Sequence, residues 1–233
     1  MKNKNKTVFI TGGASGIGLE TVKQLHEDTF NVCVLSKSNP KDPTIRDLFR
    51  RDGMLFVRGD ISKPIDVKKA VSQCMQKFKS IDVLVNNAAI AQAKPFEKAT
   101  PKDWEKVMNI NIKGTLYVTK EVLRVMRKQK SGCIVNISSG AGTYGVENLS
   151  IYSLTKAAVI NFSQSLAQEL SSSGIRVFAI TPGSTDTRMF KSLFPGKKPH
   201  HTAAQVAQVI VRAIKKEVEP DSRHIIDVFY HQR

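Results

Sequence analysis

The chain has 233 residues, of which 41% are hydrophobic and 24% are charged. This composition is ordinary for a globular protein and excludes an extensively disordered chain. The length allows a substantial core within one domain, so we expect a single domain over residues 1–233. The 36 Lys and Arg residues exceed the 20 Asp and Glu residues, and the resulting net charge of +16 favours anionic substrates or partners.

The basic residues are spread over four clusters, and no nucleic-acid-binding motif accompanies them. A solvated basic surface is therefore favoured over nucleic-acid binding, which stays as an alternative. The apolar run after the basic start is too short for a signal peptide or a membrane span, which predicts a cytoplasmic protein. The clusters are residues 2–6, 124–130, 188–198 and 212–216.

Short apolar, β-branched runs alternate with helical patterns along the chain. This βαβ rhythm predicts an α/β fold, a Rossmann-type doubly wound parallel sheet with helices on both faces. The predicted strands are 7–10, 31–35, 55–58, 83–85, 134–137 and 176–180, with 225–229 as a candidate last strand. The predicted helices are 19–28, 65–78, 104–128, 152–170 and 203–217. Cys33, Cys74 and Cys133 have no metal-binding spacing, and we expect them to be core residues.

A glycine-rich turn, T-G-G-A-S-G-I-G, joins the first predicted strand to the first predicted helix. Glycines there allow a tight turn and a close approach of a pyrophosphate, which the helix N-terminal amides would face. Glycines alone are a weak signal, but their place between strand and helix is specific. The predicted dinucleotide-binding residues of this turn are Gly12, Ser15, Gly16, Ile17 and Gly18.

Tyr152 and Lys156 are spaced four residues apart in a predicted helix, which places them on one face. An ammonium group beside a phenol lowers the phenol pKa from its ordinary value of about 10. The pair therefore predicts a proton donor that works near neutral pH.

Several further motifs follow the glycine-rich turn in a fixed order. They are N-N-A-A at 86–89, N-I-K-G at 111–114, Ser139, Y-S-L-T-K at 152–156 and P-G-S-T-D-T at 182–187. Their order and spacing resemble the short-chain dehydrogenase/reductase family, with a ketoreductase-like character, over nearly the whole chain. Ala89 departs from the glycine usual in that family, and the C-terminal segment departs from that of the fatty-acid-synthesis ketoreductases.

The resemblance implies four catalytic residues. Tyr152 would be the general acid or base, and Lys156 would lower its pKa and hold the nicotinamide ribose. Ser139, thirteen residues before Tyr152, would hydrogen-bond the substrate carbonyl oxygen. Asn111 would help to hold a water in a proton relay. Taken singly, each of these residues has packing or helix capping as its alternative.

The cofactor preference depends on the end of the second strand. Ser36 and Lys37 supply one cation and no acid there, which favours NADP(H) over NAD(H), although Lys37 as a solvated strand end is the alternative. By resemblance, the adenine and its ribose contact Asp60, Ile61, Asn87 and Ala88. The remaining contacts expected from the resemblance are Pro182, Gly183, Thr185 and Thr187, together with Tyr152 and Lys156.

The stretch 182–201 is the least regular part of the sequence, rich in proline and glycine. We interpret it as a mobile loop that covers the substrate, with a plain surface connection as the alternative. His200 and His201 lack partner ligands at metal-binding spacing, so no metal site is expected.

The function that these residues favour is reduction of a small ketone, aldehyde or oxoacyl compound with NADPH, by a homodimer or homotetramer. One alternative is a 3-oxoacyl-carrier-protein reductase, because acidic carrier proteins would be attracted to a chain of charge +16. Another is a non-catalytic dinucleotide sensor or a nucleic-acid-associated protein. The sequence does not indicate which carbonyl compound is the substrate.

Overall fold

The computed structural model describes residues 6–40 and 42–231, so most of the basic cluster at 2–6 lies outside the described residues. A seven-stranded parallel sheet of order β3-β2-β1-β4-β5-β6-β9 forms its centre. The strands are β1 (Thr7–Thr11), β2 (Asn31–Ser36), β3 (Met54–Arg58), β4 (Val83–Asn86), β5 (Gly132–Ile137), β6 (Ile175–Thr181), β7 (Thr185–Asp186), β8 (His201–Thr202) and β9 (Ile225–Asp227). The helices are α1 (Gly16–Glu27), α2 (Pro43–Leu48), α3 (Pro64–Phe78), α4 (Pro101–Met108), α5 (Thr115–Gln129), α6 (Ser150–Glu169), α7 (Arg188–Leu193) and α8 (Ala203–Ile214).

Alternate residues of the central strands pack into two separate cores, one on each face of the sheet. Val32 and Val34 of β2 join the core beneath α1 and α8. Cys33 and Leu35 of the same strand join the core beneath α3, α5 and α6. The strands are apolar on both faces because both faces are covered by helices. The predicted doubly wound parallel sheet is confirmed, and the three cysteines are buried free thiols as expected.

The strand order reverses around β1, which pairs with β2 on one side and with β4 on the other. In an open parallel sheet, such a switch point opens a crevice beyond the carboxyl ends of the strands. The glycine-rich turn follows β1 directly, and the N-N-A-A motif follows β4. The fold therefore brings these two distant motifs to one crevice.

A chain of buried polar side chains joins the two central strands to the helices beneath them. The Asn86 amide of β4 donates to Thr119 at 2.9 Å and to Asn136 of β5 at 2.8 Å. The Asn136 amide in turn donates to Ser163 of α6 at 2.8 Å. Buried polar groups stabilise a fold only when they are paired, so this network fixes the positions of β4, β5 and α6 relative to one another.

The structure corrects the prediction of one continuous helix over residues 104–128. A π-helical turn, Asn109–Gly114, separates α4 from α5. A Cβ on Gly114 would lie only 2.6 Å from Ile61 Cδ1, so the backbone here packs tightly against Ile61, three residues after the end of β3. π-helical turns are rare, and those that do occur are frequently found at functional sites. A 3.6-residue periodicity in the sequence does not reveal them.

Two further predictions are adjusted near the C-terminus and in the loops, and one helix was not predicted. The candidate strand 225–229 ends at Asp227, because the Asp227 carboxylate accepts a hydrogen bond from Phe229 N at 2.9 Å and begins a 3₁₀ turn, Val228–Tyr230. The stretch 182–201 is not wholly irregular, since it contains α7 and the short β7–β8 ladder. The sequence also gave no signal for α2, which has only six residues.

We predict that Asn136→Ala lowers the free energy of unfolding by about 2 to 4 kcal/mol, because it removes the two buried hydrogen bonds that Asn136 makes with Asn86 and Ser163 and leaves a cavity between them. Chemical denaturation measures this change. Lys106→Ala on the exposed face of α4 is the control, and an equal effect of the two substitutions would contradict the importance of the network.

Candidate active site

The glycine-rich turn has the geometry that its sequence predicts. Gly12 and Gly16 adopt φ angles of +69° and +56°, which L side chains rarely adopt. A Cβ on Gly18 would lie 2.5 Å from both the Asn87 amide nitrogen and the Gly12 carbonyl oxygen. Ser15 is the N-cap of α1 but makes no side-chain capping bond, and the first turn contains no acidic residue. The amides that begin α1 are therefore left facing the crevice.

Asn87 and Ala88 hold this turn in place. Asn87 Nδ2 donates to the carbonyl oxygens of Thr11 and Gly12, at 2.9 and 3.2 Å. The amides of Asn87 and Ala88 both donate to the Thr11 hydroxyl at 3.0 Å. Two segments that the sequence assigned to the cofactor are thus one hydrogen-bonded unit, and this supporting role of Thr11 was not predicted.

The end of the second strand carries a charge pair that the sequence did not reveal. Lys37 Nζ lies 2.8 Å from Asp60 Oδ2. Burial alone would raise the pKa of Asp60, but hydrogen bonds from Lys37 and Ser62 outweigh it and hold the pKa at about 2. Lys37 and Asp60, predicted as separate cofactor contacts, therefore bind each other, and the charge of Lys37 is paired with an acidic residue that follows the neighbouring strand.

Arg58 is a second cation at the same place and was missed by the sequence reasoning. It ends β3 in direct register with Ser36, which ends β2. Met54 and Phe56 pack into the core beneath α1, so strand alternation directs Arg58 toward that same face. Arg58 is exposed, and within the described part of the chain no carboxylate pairs with it.

Tyr152 and Lys156 share a face of α6, as their spacing predicted. Lys156 is only 4% exposed, and its ammonium group donates to the Ile137 carbonyl oxygen at the end of β5 at 2.8 Å. The same nitrogen lies 5.7 Å from the centroid of the Tyr152 ring. The carboxyl end of β5 therefore holds the ammonium group beside the Tyr152 phenol.

The pKa values of the pair differ from the expectation of a phenol depressed by its neighbour. Burial raises the pKa of Tyr152 to about 12, with the Ser139 hydroxyl partly offsetting it. Burial also lowers the pKa of Lys156 to about 8. Lys156 interacts with the Ile137 carbonyl and with the face of the Tyr152 ring, and these contacts do not offset the cost of burying a charge. Burial therefore sets the direction of both pKa shifts.

The two neighbouring serines have different surroundings. The Ser138 hydroxyl is buried and donates to the Lys156 carbonyl oxygen at 2.7 Å, which ties β5 to α6. The partly buried Ser139 hydroxyl accepts from Ala141 N at 3.2 Å and interacts with Tyr152. The structure thus places Ser139 beside the phenol and Ser138 in a packing position.

Asn111 lies within the π-helical turn. Its side chain exchanges two hydrogen bonds of 2.9 Å with the backbone of Ile90, and its amide also donates to Thr155 Oγ1 at 3.1 Å. Thr155 lies between Tyr152 and Lys156 on α6. Asn111 therefore connects the segment after β4 to α6, and its predicted role with a water stays a prediction.

The segment after β6 closes the site from the other side. Gly140 N donates to the Pro182 carbonyl oxygen at 2.9 Å, which places Pro182–Gly183 next to Ser139. A Cβ on Gly16 would lie 3.3 Å from Thr187 Cγ2, so Thr187 lies against the glycine-rich turn. Thr187 also caps α7 through a hydrogen bond from Phe190 N at 3.2 Å. Thr185, in β7, is buried.

Residues 6–40 and 42–231 contain neither a membrane-spanning helix nor a metal-binding cluster. None of the helices there combines the length and apolar character needed to cross a bilayer. No three His, Cys, Asp or Glu side chains in this part of the chain are grouped for metal binding.

Comparison with known proteins identifies the family of this chain. Residues 6–198 match the family described as short chain dehydrogenase, and the chain belongs to that family of oxidoreductases. An uncharacterized oxidoreductase of Thermotoga maritima is 35% identical over 189 residues, which cover 80% of this chain and 74% of that protein.

Two solved structures share the fold over nearly the whole chain. A 3-ketoacyl-(acyl-carrier-protein) reductase from Brucella melitensis, complexed with NADH, has a TM-score of 0.88 at 25% identity and 97% coverage of both chains. ElxO with NADP bound has a TM-score of 0.85 at 30% identity and 96% coverage of both chains.

We predict a pH dependence of stability that Lys156 alone creates. Its folded pKa of about 8 lies below the ordinary 10.5, so the unfolded chain binds more protons between these values and stability rises with pH there. From pH 7 to 9.5, wild type should gain about 2 kcal/mol relative to Lys156→Met, in denaturation of the apoprotein. A pH-independent difference between the two proteins would contradict a depressed Lys156 pKa.

Proposed function

We propose that this protein is an NADPH-dependent carbonyl reductase, with Tyr152 as proton donor and Ser139 and Lys156 as its partners. The observation that carries the proposal is the convergence of these three groups at the carboxyl end of β5. The buried ammonium of Lys156 lies 5.7 Å from the Tyr152 ring, and Ser139 interacts with the phenol.

The chemistry follows from what these groups donate. A carbonyl oxygen gains negative charge as its carbon receives hydride, and two hydroxyl donors stabilise that charge best when they are already in position. Ser139 holds the oxygen, and Tyr152 gives it a proton. Lys156 bears the positive charge that favours the tyrosinate left behind. The cofactor, when bound, supplies the hydride.

The residues fit a nicotinamide dinucleotide. The free amides at the start of α1 and the absence of side chains at Gly12, Gly16 and Gly18 suit a pyrophosphate. Lys156, with Ile137 as its hydrogen-bond acceptor among the described residues, keeps further N–H groups for ribose hydroxyls. Asn111 would hold the water that returns a proton to Tyr152, since its side chain already spans from Ile90 to α6.

The preference for NADP over NAD is part of the proposal. Support for it comes from the two cations at the ends of β2 and β3, Lys37 and Arg58, and from the similarity to ElxO with NADP bound. Lys37 shares its charge with Asp60, whereas Arg58 is free to meet a 2′-phosphate. An arginine offers the planar, bidentate donors that suit phosphate.

We also propose that the protein is a homodimer or homotetramer that works in the cytoplasm. Leu116 on α5 and Leu154 on α6 are 41% and 49% exposed, and such apolar side chains on the two long helices suit a subunit interface. The loop from Pro182 to His201 would cover the substrate, because it leaves the sheet beside Ser139.

We predict that Tyr152→Phe lowers kcat by at least about 100-fold, because the proton donor is lost, while NADPH affinity stays within a few-fold. Turnover is followed by NADPH absorbance over a panel of ketones, aldehydes, quinones, sugars and acyl thioesters, and binding by NADPH fluorescence. Tyr230→Phe is the control for losing an exposed hydroxyl. Full activity of Tyr152→Phe would overturn the assigned acid.

For cofactor choice, we predict that 2′,5′-ADP binds more tightly than ADP and that Arg58→Gln reduces this difference by roughly 10-fold, as expected for a charge-assisted bond. Lys37→Gln should have a smaller effect, because Lys37 is already paired. Calorimetric titration measures both ligands without turnover. Arg51→Gln is the control, because Arg51 precedes β3 and lies at the opposite end of that strand from Arg58. Equal affinities of wild type for 2′,5′-ADP and ADP would overturn the NADP preference.

A further inference from the structure

Two aromatic rings stay largely exposed close to Ser139, although neither has a role in the chemistry described above. Tyr144 is 62% exposed and Phe229 is 60% exposed. Exposed aromatic rings forfeit the stabilisation that burial would give them, so two of them at one site indicate a surface that a ligand covers.

Tyr144 belongs to the loop that begins with Ser139. Its backbone amide donates to the Gly140 carbonyl oxygen at 3.1 Å, which closes a turn after the 3₁₀ segment Gly140–Gly142. A Cβ on Gly140 would lie 2.7 Å from the Tyr144 hydroxyl oxygen. The phenol therefore folds back over Gly140, the residue next to Ser139.

Phe229 reaches the same place from the C-terminal end of the chain. Its Cδ2 atom would lie 3.9 Å from a Cβ on Gly183. The rings of His200 and His201 hold it edge-on, with centroid distances of 5.9 and 5.4 Å. Gly183 follows Pro182, whose carbonyl oxygen accepts the hydrogen bond from Gly140. Tyr144 and Phe229 thus lie on the two chain segments that meet beside Ser139.

The other exposed aromatic residues do not share this position. Phe96 is already stacked on Trp104, with ring centroids 5.8 Å apart and planes within 4°. Tyr230 is 82% exposed and follows Phe229, but no ring contact involves it among the described residues. Tyr230 is therefore a matched control for Phe229.

We propose that Tyr144 and Phe229 form the walls of the substrate cleft and select aryl ketones and aldehydes, whose carbonyl group is conjugated with a flat ring. This inference rests on the proposed carbonyl reduction. The aryl carbonyl carbon gains a hydride and its oxygen gains the Tyr152 proton, while NADPH is oxidised to NADP⁺. A flat ring contacts both walls through offset or edge-to-face packing, which a puckered saturated ring matches poorly.

The test compares acetophenone with cyclohexyl methyl ketone, which has the same carbon skeleton and a saturated ring. Because the two ketones differ in intrinsic reactivity, the quantity of interest is how a substitution changes the ratio of their kcat/KM values. Tyr144→Leu and Phe229→Leu should each lower the aryl preference by roughly 2- to 10-fold, mainly through KM. Tyr144→Phe, which keeps the ring, and the control Tyr230→Leu should retain the preference.

A second measurement does not depend on turnover. Calorimetric titration of the enzyme with NADP⁺ should show tighter binding of benzamide than of cyclohexanecarboxamide, with the difference reduced in both leucine variants. If wild type reduces no carbonyl compound, the proposed function fails, and this binding comparison still tests the aromatic walls.

Three results would overturn the inference. The first is an unchanged preference in both leucine variants, with melting temperatures equal to that of wild type. The second is equal binding of the two amides to wild type. The third is a change of oligomeric state in Phe229→Leu, measured by sedimentation, because that ring would then belong to a subunit interface.

Discussion

The buried ammonium group of Lys156 at the carboxyl end of β5 is the constraint on which the rest of the site depends. A charge in a protein interior is costly unless donors and acceptors are arranged around it. Here the Ile137 carbonyl oxygen accepts from it at 2.8 Å, and the Tyr152 ring lies beside it. The Ser138 hydroxyl bonds the backbone of Lys156 itself at 2.7 Å, so strand and helix cannot separate without exposing the charge. The buried Asn86, Asn136 and Ser163 network fixes the same strand and helix further along.

This arrangement shifts the pKa values of two ionisable groups in opposite directions. Burial raises the pKa of Tyr152 to about 12 and lowers that of Lys156 to about 8. Each group is thereby pushed toward its neutral form, and a neutral phenol is the form that donates a proton. The site keeps Tyr152 in its protonated form, and the loss of that proton depends on which charged groups bind next to the phenol. Pairs of groups with divergent pKa values are typical of acid–base sites.

Much of this could be predicted from the sequence, because local patterns encode it directly. Short apolar runs that alternate with helical patterns predicted the parallel sheet. The four-residue spacing of Tyr152 and Lys156 predicted that they share one face of a helix. The π-helical turn at Asn109–Gly114 was missed because a 3.6-residue periodicity does not reveal it, and the close packing of Gly114 against Ile61 joins residues far apart in the chain. The Lys37–Asp60 pair and the register of Arg58 with Ser36 likewise arise from neighbouring strands. The upward shift of the Tyr152 pKa by burial was not predicted, because spacing reveals proximity but not desolvation.

The ionisation of Tyr152 in saturating NADP⁺, followed by tyrosinate absorbance as the difference between wild type and Tyr152→Phe, shows whether the buried pair can stabilise a phenolate. The positive nicotinamide ring and the anchored Lys156 should favour the charged phenolate, so we expect Tyr152 to ionise below its ordinary pKa of 10 when NADP⁺ is bound. The apoprotein should show no such ionisation below pH 10. The absence of a Tyr152 tyrosinate signal between pH 6 and 10 in saturating NADP⁺ would show that Lys156 and the cofactor do not stabilise the tyrosinate.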